Sequence, residues 1–122
     1  MMTTEELKQL VINALEAVKG QDIHVMDVRE LTTITDYMIV VSGTSNRQVK
    51  ALAQKVVEAS KKAGVRPLGV EGEEKAEWVL VDLNDVIVHI MQPVTRDFYQ
   101  LEKLWSSSED SDKELPGSNQ IG

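Results

Sequence analysis

The chain has 122 residues, the length of one domain and enough to bury a core. Its 20 acidic residues outnumber 13 basic ones, for a formal net charge of -7, and aromatic residues make up only 4%, so the core must be aliphatic. With no cysteine, the sequence excludes a disulfide framework, a thiol nucleophile and any cysteine-ligated metal or iron–sulfur centre. The basic residues are scattered, whereas contact with a nucleic-acid backbone needs them clustered. A basic partner protein therefore fits the charge better than bare RNA or DNA, although acidity also serves solubility alone. No apolar run approaches the length of about 20 residues that spans a bilayer. The N-terminal Met-Met-Thr-Thr-Glu-Glu lacks the pattern of a signal peptide, so no membrane role and a cytoplasmic location are expected.

Residues 3–20 are predicted to form an amphipathic helix. Thr3-x-x-Glu6 reads as a capping box, Glu5 and Glu6 favour the positive end of the helix dipole, and Gly20 is the expected stop. Leu7, Leu10, Val11, Ala14, Leu15 and Val18 make one buried stripe. Residues 23–28 read as a first strand carrying His24 alone, with no cluster at metal-ligand spacing around it. Residues 36–42 hold the continuous apolar run Tyr37-Met38-Ile39-Val40-Val41, which suits a strand buried on both faces.

A strand–turn–helix junction follows at residues 43–48. Ser45-x-x-Gln48 is a second capping box, and Val49, Leu52, Ala53, Val56 and Val57 give the helix its buried face until Gly64. A Gly43-Thr44-Ser45 turn at a helix start is also a possible anion cradle, but the P-loop and dinucleotide glycine patterns are absent. Residues 65–70, with Pro67 and Gly69, read as a short edge strand. The charged loop Glu71-Gly72-Glu73-Glu74-Lys75 follows it.

Residues 78–91 are the most strongly patterned stretch. Two β-branched and aliphatic runs flank Asn84-Asp85, the signal of a hairpin. Trp78, Leu80 and Asp82 share one face of the first strand and Val79, Val81 and Leu83 the other. In the second strand Val86, Val88 and Ile90 oppose Ile87, His89 and Met91. Both faces are mostly apolar, so the one bearing Trp78 either packs within the chain or awaits a partner. A last helix is predicted from Thr95 to about Trp105, with Val94, Phe98, Leu101 and Trp105 facing the sheet and Tyr99, Glu102 and Lys103 pointing elsewhere. Residues 106–122 are acidic and Ser-rich and are expected to be a disordered tail. The order is α-β-β-α-β-β-β-α, a single α/β domain over residues 1–105 with a mixed sheet of about five strands and three helices.

No catalytic constellation emerges. Gly43-Thr44-Ser45 is not a nucleophile elbow, and His24 and His89 have no evident common partner. Nucleotidyl transfer would need carboxylates sharing one strand face to hold divalent metal. Asp82 supplies one, but its same-face neighbour is Asn84, so Asp82, Asn84 and Asp85 are better explained as turn formers. No metal, cofactor or enzymatic activity is expected.

Six segments taken together carry a resemblance. They are Gly20-Gln21-Asp22-Ile23, Thr35-Asp36-Tyr37-Met38-Ile39-Val40, Gly43-Thr44-Ser45-Asn46-Arg47, Gly69-Val70-Glu71-Gly72, Trp78-Val79-Leu80-Val81-Asp82-Leu83 with Asp85-Val86-Ile87-Val88-His89, and Phe98-Tyr99-x-Leu101-Glu102-x-Leu104-Trp105. In this order they resemble the Iojap family, the ribosomal silencing factors, over residues 5–105. The resemblance implies a nucleotidyltransferase-like fold without its catalytic carboxylates. It also implies binding to the fourteenth protein of the large ribosomal subunit, a steric block on subunit joining when nutrients are scarce, and homodimers. For such a role the expected contact centre is Trp78 and Leu80 with Tyr99 nearby, and Asp82, Glu77 and Glu73 supply an acidic rim. Trp78 as an ordinary core residue is the alternative. A nucleotide binder using residues 43–47 and Asp82, and a dimerising adaptor for another partner, are the competing functions.

Overall fold

The structure is a computed structural model and describes residues 2–104. Its elements are α1 (Thr4–Ala17), β1 (Gln21–Asp27), β2 (Tyr37–Ser42), α2 (Asn46–Lys62), β3 (Gly69–Glu71), β4 (Trp78–Asp82), β5 (Val86–Met91), α3 (Pro93–Tyr99) and α4 (Leu101–Leu104). The strands form one sheet in the order β1-β2-β5-β4-β3, parallel only between β2 and β5. The predicted α/β architecture with a five-stranded mixed sheet is present. The predicted tail at residues 106–122, and Trp105, lie outside the described residues.

The helix starts follow their sequence signals. Thr3 accepts from the Glu6 N–H and Glu6 returns a bond to the Thr3 N–H, the full capping box. At α2 only half the box forms: Ser45 accepts from the Gln48 N–H, but the Gln48 side chain accepts from Thr44 and donates to the carbonyls of Val18 and Lys19. Gln48 thus ties the end of α1 to the start of α2.

At the end of α1, Gly20 is not the left-handed stop that the sequence suggests. Helix α1 closes at Ala17 in a Schellman turn, with the Lys19 N–H bonded to Glu16 O and the Gly20 N–H to Leu15 O. The left-handed residue is Lys19, at φ 61. Gly20 is needed for a different reason: a Cβ there would lie 2.7 Å from Val41 Cγ2. Gly64, at φ 87, does hold the left-handed position predicted for it after α2.

Leu7, Val11, Ala14 and Leu15 of α1 and Val49, Leu52, Ala53 and Val56 of α2 pack on one face of the sheet. That face is supplied by Ile39 and Val41 of β2, Val79 and Val81 of β4, and Val86, Val88 and Ile90 of β5, with Leu83 beside them. It is the alternation predicted for the hairpin. Strand β2 is buried along its whole length. Strand β3 is shorter than predicted, because Pro67 and its neighbours make no ladder; only the Leu68 N–H, bonded to Asp82 O, extends it. The hairpin turn is the two-residue Asn84-Asp85 connection. Leu83 N–H bonds Val86 O, Asn84 adopts φ 74, and the Asp82 carboxylate accepts from the Asn84 N–H at 2.8 Å.

The last helix departs most from expectation. Pro93 occupies its first turn, and Gln100, in the left-handed region at φ 49, breaks it into α3 and α4. The faces of α3 are also the reverse of those predicted. Val94 and Phe98 are 81% and 78% exposed, whereas Tyr99 lies on Trp78 and Glu102 turns in towards the sheet. Only Leu101 packs inward as predicted. Val94 and Phe98 do share one face of α3, but it is the outer one; the break at Gln100 changes the phase only for Leu101 and Glu102, which turn inward.

Candidate functional site

The second face of the sheet, opposite α1 and α2, reads as three rows in register. Ser42, Met91 and Trp78 form the first, Val40, His89 and Leu80 the second, and Met38, Ile87 and Asp82 the third. Strand β1 adds His24 beside Val40 and Met26 beside Met38. Met26, Val28, Met38, Val40 and Met91 are buried as a small separate core, with Trp78 and Leu101 packed on it. Part of this face is therefore filled within the chain, by α3 and α4.

Trp78 is half-buried rather than enclosed. Its indole N–H donates to His89 Nδ1 at 2.9 Å, and the Tyr99 ring lies 4.8 Å away, tilted by 48°. Because an indole N–H only donates, His89 must accept at Nδ1 and carry its single proton on Nε2. Burial pushes the His89 pKa down to about 4. An unfolded chain protonates this imidazole near pH 6.5, so the unfolded state binds a proton that the native state refuses across the window from 6.5 to 4. Stability should therefore fall as pH drops through that window, by at most about 3 kcal/mol. Urea midpoints at pH 7 and 4.5 check this, and His89→Gln should flatten the difference.

Beside Trp78 opens a groove of about 520 Å³ lined by Glu73, Glu74 and Glu77 against one cation, Lys75, and by Trp78, Thr95 and Tyr99 among others. Four of the six expected contact residues, Trp78 and Tyr99 of the centre and Glu77 and Glu73 of the rim, meet here. Leu80 and Asp82 continue the same strand face away from the groove, both partly exposed. Tyr99 is 51% exposed and stands at the rim as well as packing on Trp78. The Asp82 carboxylate serves the hairpin turn, as its sequence context predicted. At the Gly43-to-Arg47 turn, Gly43 donates to Met91 O, Thr44 to Gln48 and Gln48 to Ser45, so capping and sheet bonds occupy those donors. Among the described residues no group of three or more His, Asp or Glu side chains is placed to hold a metal ion.

Two features escaped the sequence reading. The Trp78–His89 bond was legible in principle, since a two-residue turn at 84–85 fixes the register that sets His89 diagonal to Trp78. The other is a polar latch. Arg96, only 12% exposed, grips Glu102 with two bonds, Nε to Oε1 at 2.8 Å and Nη2 to Oε2 at 3.0 Å, and donates to Ser42 Oγ at 2.8 Å. Glu102 Oε2 also meets His24 Nδ1 at 2.6 Å. The guanidinium, with His24 adding to it, holds the Glu102 carboxyl down at about 2. His24 and His89 therefore have different partners. Nothing in the sequence pairs residue 24 with residue 102, because the pairing depends on the break at Gln100.

An α/β domain with an acid-edged aromatic groove and a half-covered apolar sheet face has the features of a binding protein rather than a cleft built for chemistry. Comparison with known proteins gives the family. The family described as "Ribosomal silencing factor during starvation" matches residues 1–121, and the chain belongs to it. It is similar to the "Ribosomal silencing factor RsfS" of Chromobacterium violaceum, 50% identical over 110 residues that cover 90% of each chain. A crystal structure of a Chromobacterium violaceum protein superposes with a TM-score of 0.85 at 46% identity, covering 99% of this chain and 95% of that one. A more distant relative, the mouse "Mitochondrial assembly of ribosomal large subunit protein 1", is 33% identical over 80% of this chain and 44% of its own length. The family is regulatory rather than enzymatic. Among the described residues no helix is long and apolar enough to cross a membrane.

Proposed function

We propose that this protein represses translation in the cytoplasm by binding the large ribosomal subunit through its fourteenth protein and standing in the way of the small subunit. The observation that carries the reading is the second sheet face: Trp78 and Leu80 exposed in part on one strand, with Glu73 and Glu77 at the edge of the adjoining groove. A steric block needs a specific patch and no cofactor. An acidic protein is repelled by rRNA and settles where basic protein is exposed, while an aromatic anchor supplies affinity. Family membership and the large-subunit role in the name of the mouse relative support this direction. If the protein also pairs with itself through the same face, dimer and ribosome-bound forms compete. The test is co-sedimentation with purified large subunits at moderate salt, followed by cross-linking from residues 73–80. The expected cross-link is to the fourteenth protein; sedimentation only with small subunits, or cross-links confined to rRNA, would reject the reading.

A further inference from the structure

The segment over the second face is thinly attached. Helices α3 and α4 contain no buried residue. They cross the sheet from Trp78 on β4, past Ser42 on β2, to His24 on β1, held by Tyr99 against Trp78, by Leu101, and by the Arg96–Glu102–His24 latch. The hold rests on this one polar cluster and on two partly exposed side chains, Tyr99 and Leu101, so loss of the cluster frees the segment. Beneath lies a core rich in methionine, Met26, Met38 and Met91, whose flexible side chains repack readily against different partners. On the outside, Val94, Phe98 and Leu104 are 81%, 78% and 73% exposed, so the segment carries apolar residues on the side away from the sheet as well.

We propose that α3–α4 is a displaceable strap that covers the methionine-rich end of the second sheet face in the free protein and swings aside when the partner protein docks. This rests on the reading that the second face receives the partner. Swinging clear joins the row of Ser42, Met91 and Trp78 to the patch already open at Leu80 and Ile87. The outward Val94, Phe98 and Leu104 give the partner apolar groups by which to hold the strap open. The partner that fits is a protein surface with basic groups for the groove glutamates around an apolar centre. Only the open fraction is competent, so the latch sets the apparent affinity.

Two experiments test the strap, and the first needs no partner. Peroxide oxidation of each methionine is followed by mass spectrometry in the wild type and in Glu102→Ala, with circular dichroism confirming the fold. Met91, in the row beneath the strap, should oxidise about tenfold faster in the variant, as the population of open strap rises. Equal rates overturn the proposal. The second exploits the absence of native cysteine. His24→Cys with Glu102→Cys is closed by a short, reducible cross-linker, and binding to large subunits is measured before and after reduction. Locking should weaken binding by about tenfold or more, and reduction should restore it. Equal affinity of locked and released protein overturns the proposal. If even the wild type fails to bind large subunits, the partner reading falls, and the oxidation rates still decide whether the strap opens.

Discussion

Trp78→Ala should weaken binding to large subunits by roughly 2 kcal/mol or more, a loss of ~30-fold, while the protein stays folded. The half-buried indole touches Tyr99 and gives its N–H to His89, so it offers a rigid aromatic surface at the mouth of an acid-edged groove. Anchors of this kind dominate protein interfaces because a large apolar area is desolvated at small entropic cost. The same substitution removes contacts inside the fold. It leaves the buried His89 without its donor, a cost of about 1–3 kcal/mol that a domain of this size tolerates. Trp78→Phe separates the two effects: it keeps an aromatic ring over Tyr99 and loses the bond to His89. The alanine variant should lose stability and affinity, and the phenylalanine variant mainly stability. Urea unfolding with co-sedimentation measures both; unchanged affinity in Trp78→Ala would remove the residue from the contact centre.

Gly72→Ala should be the most disruptive glycine-to-alanine change among the described residues. Gly72 holds φ 90, and a Cβ there would sit 2.1 Å from the carbonyl oxygen of Trp78. The obstacle is backbone, so no side chain can move aside. The loop is closed on itself by the Ala76 N–H bonded to Gly72 O, and Ala76 is buried, which leaves little room to relax. We expect a loss of about 3 kcal/mol or more from the left-handed backbone and the clash together. Any folded remainder should also bind poorly, because the shift passes directly to Trp78. Gly69→Ala is the control: nothing lies within 4 Å of its Cβ, and its φ is not in the left-handed region. That change should alter the urea midpoint little. Equal midpoints for the two variants would show that the turn at Gly72 is not constrained as described.

The elements that could be read from the sequence are those fixed by local chemistry or by alternation. Thr3 and Ser45 mark the starts of α1 and α2, and Asn84-Asp85 marks the hairpin, because caps and tight turns depend on adjacent residues. The division of β4 into a Val79–Val81 face and a Trp78–Leu80–Asp82 face follows from the period of a strand, and the second of these carries the proposed contact centre. What could not be read depends on contacts distant in sequence. Gly20 is required by Val41, not by the helix end. Helical spacing gives α3 a Val94–Phe98 stripe but not the side the sheet takes, and Gln100 adopts a left-handed conformation that no local signal demands, a break that turns Glu102 towards Arg96 and His24. The family resemblance supplies the role, and the meeting of Trp78, Tyr99, Glu77 and Glu73 at one groove in the free protein supports the proposed contact.

If this protein acts by obstruction, subunit joining measures that action directly. Large and small subunits are mixed at a magnesium concentration that favours joined particles and resolved on a sucrose gradient with increasing amounts of protein. Wild-type protein should shift joined particles to separate subunits and travel with the large one, and Trp78→Ala should need a far higher concentration to do the same. Joined particles that persist while wild-type protein saturates the large subunit would contradict the account.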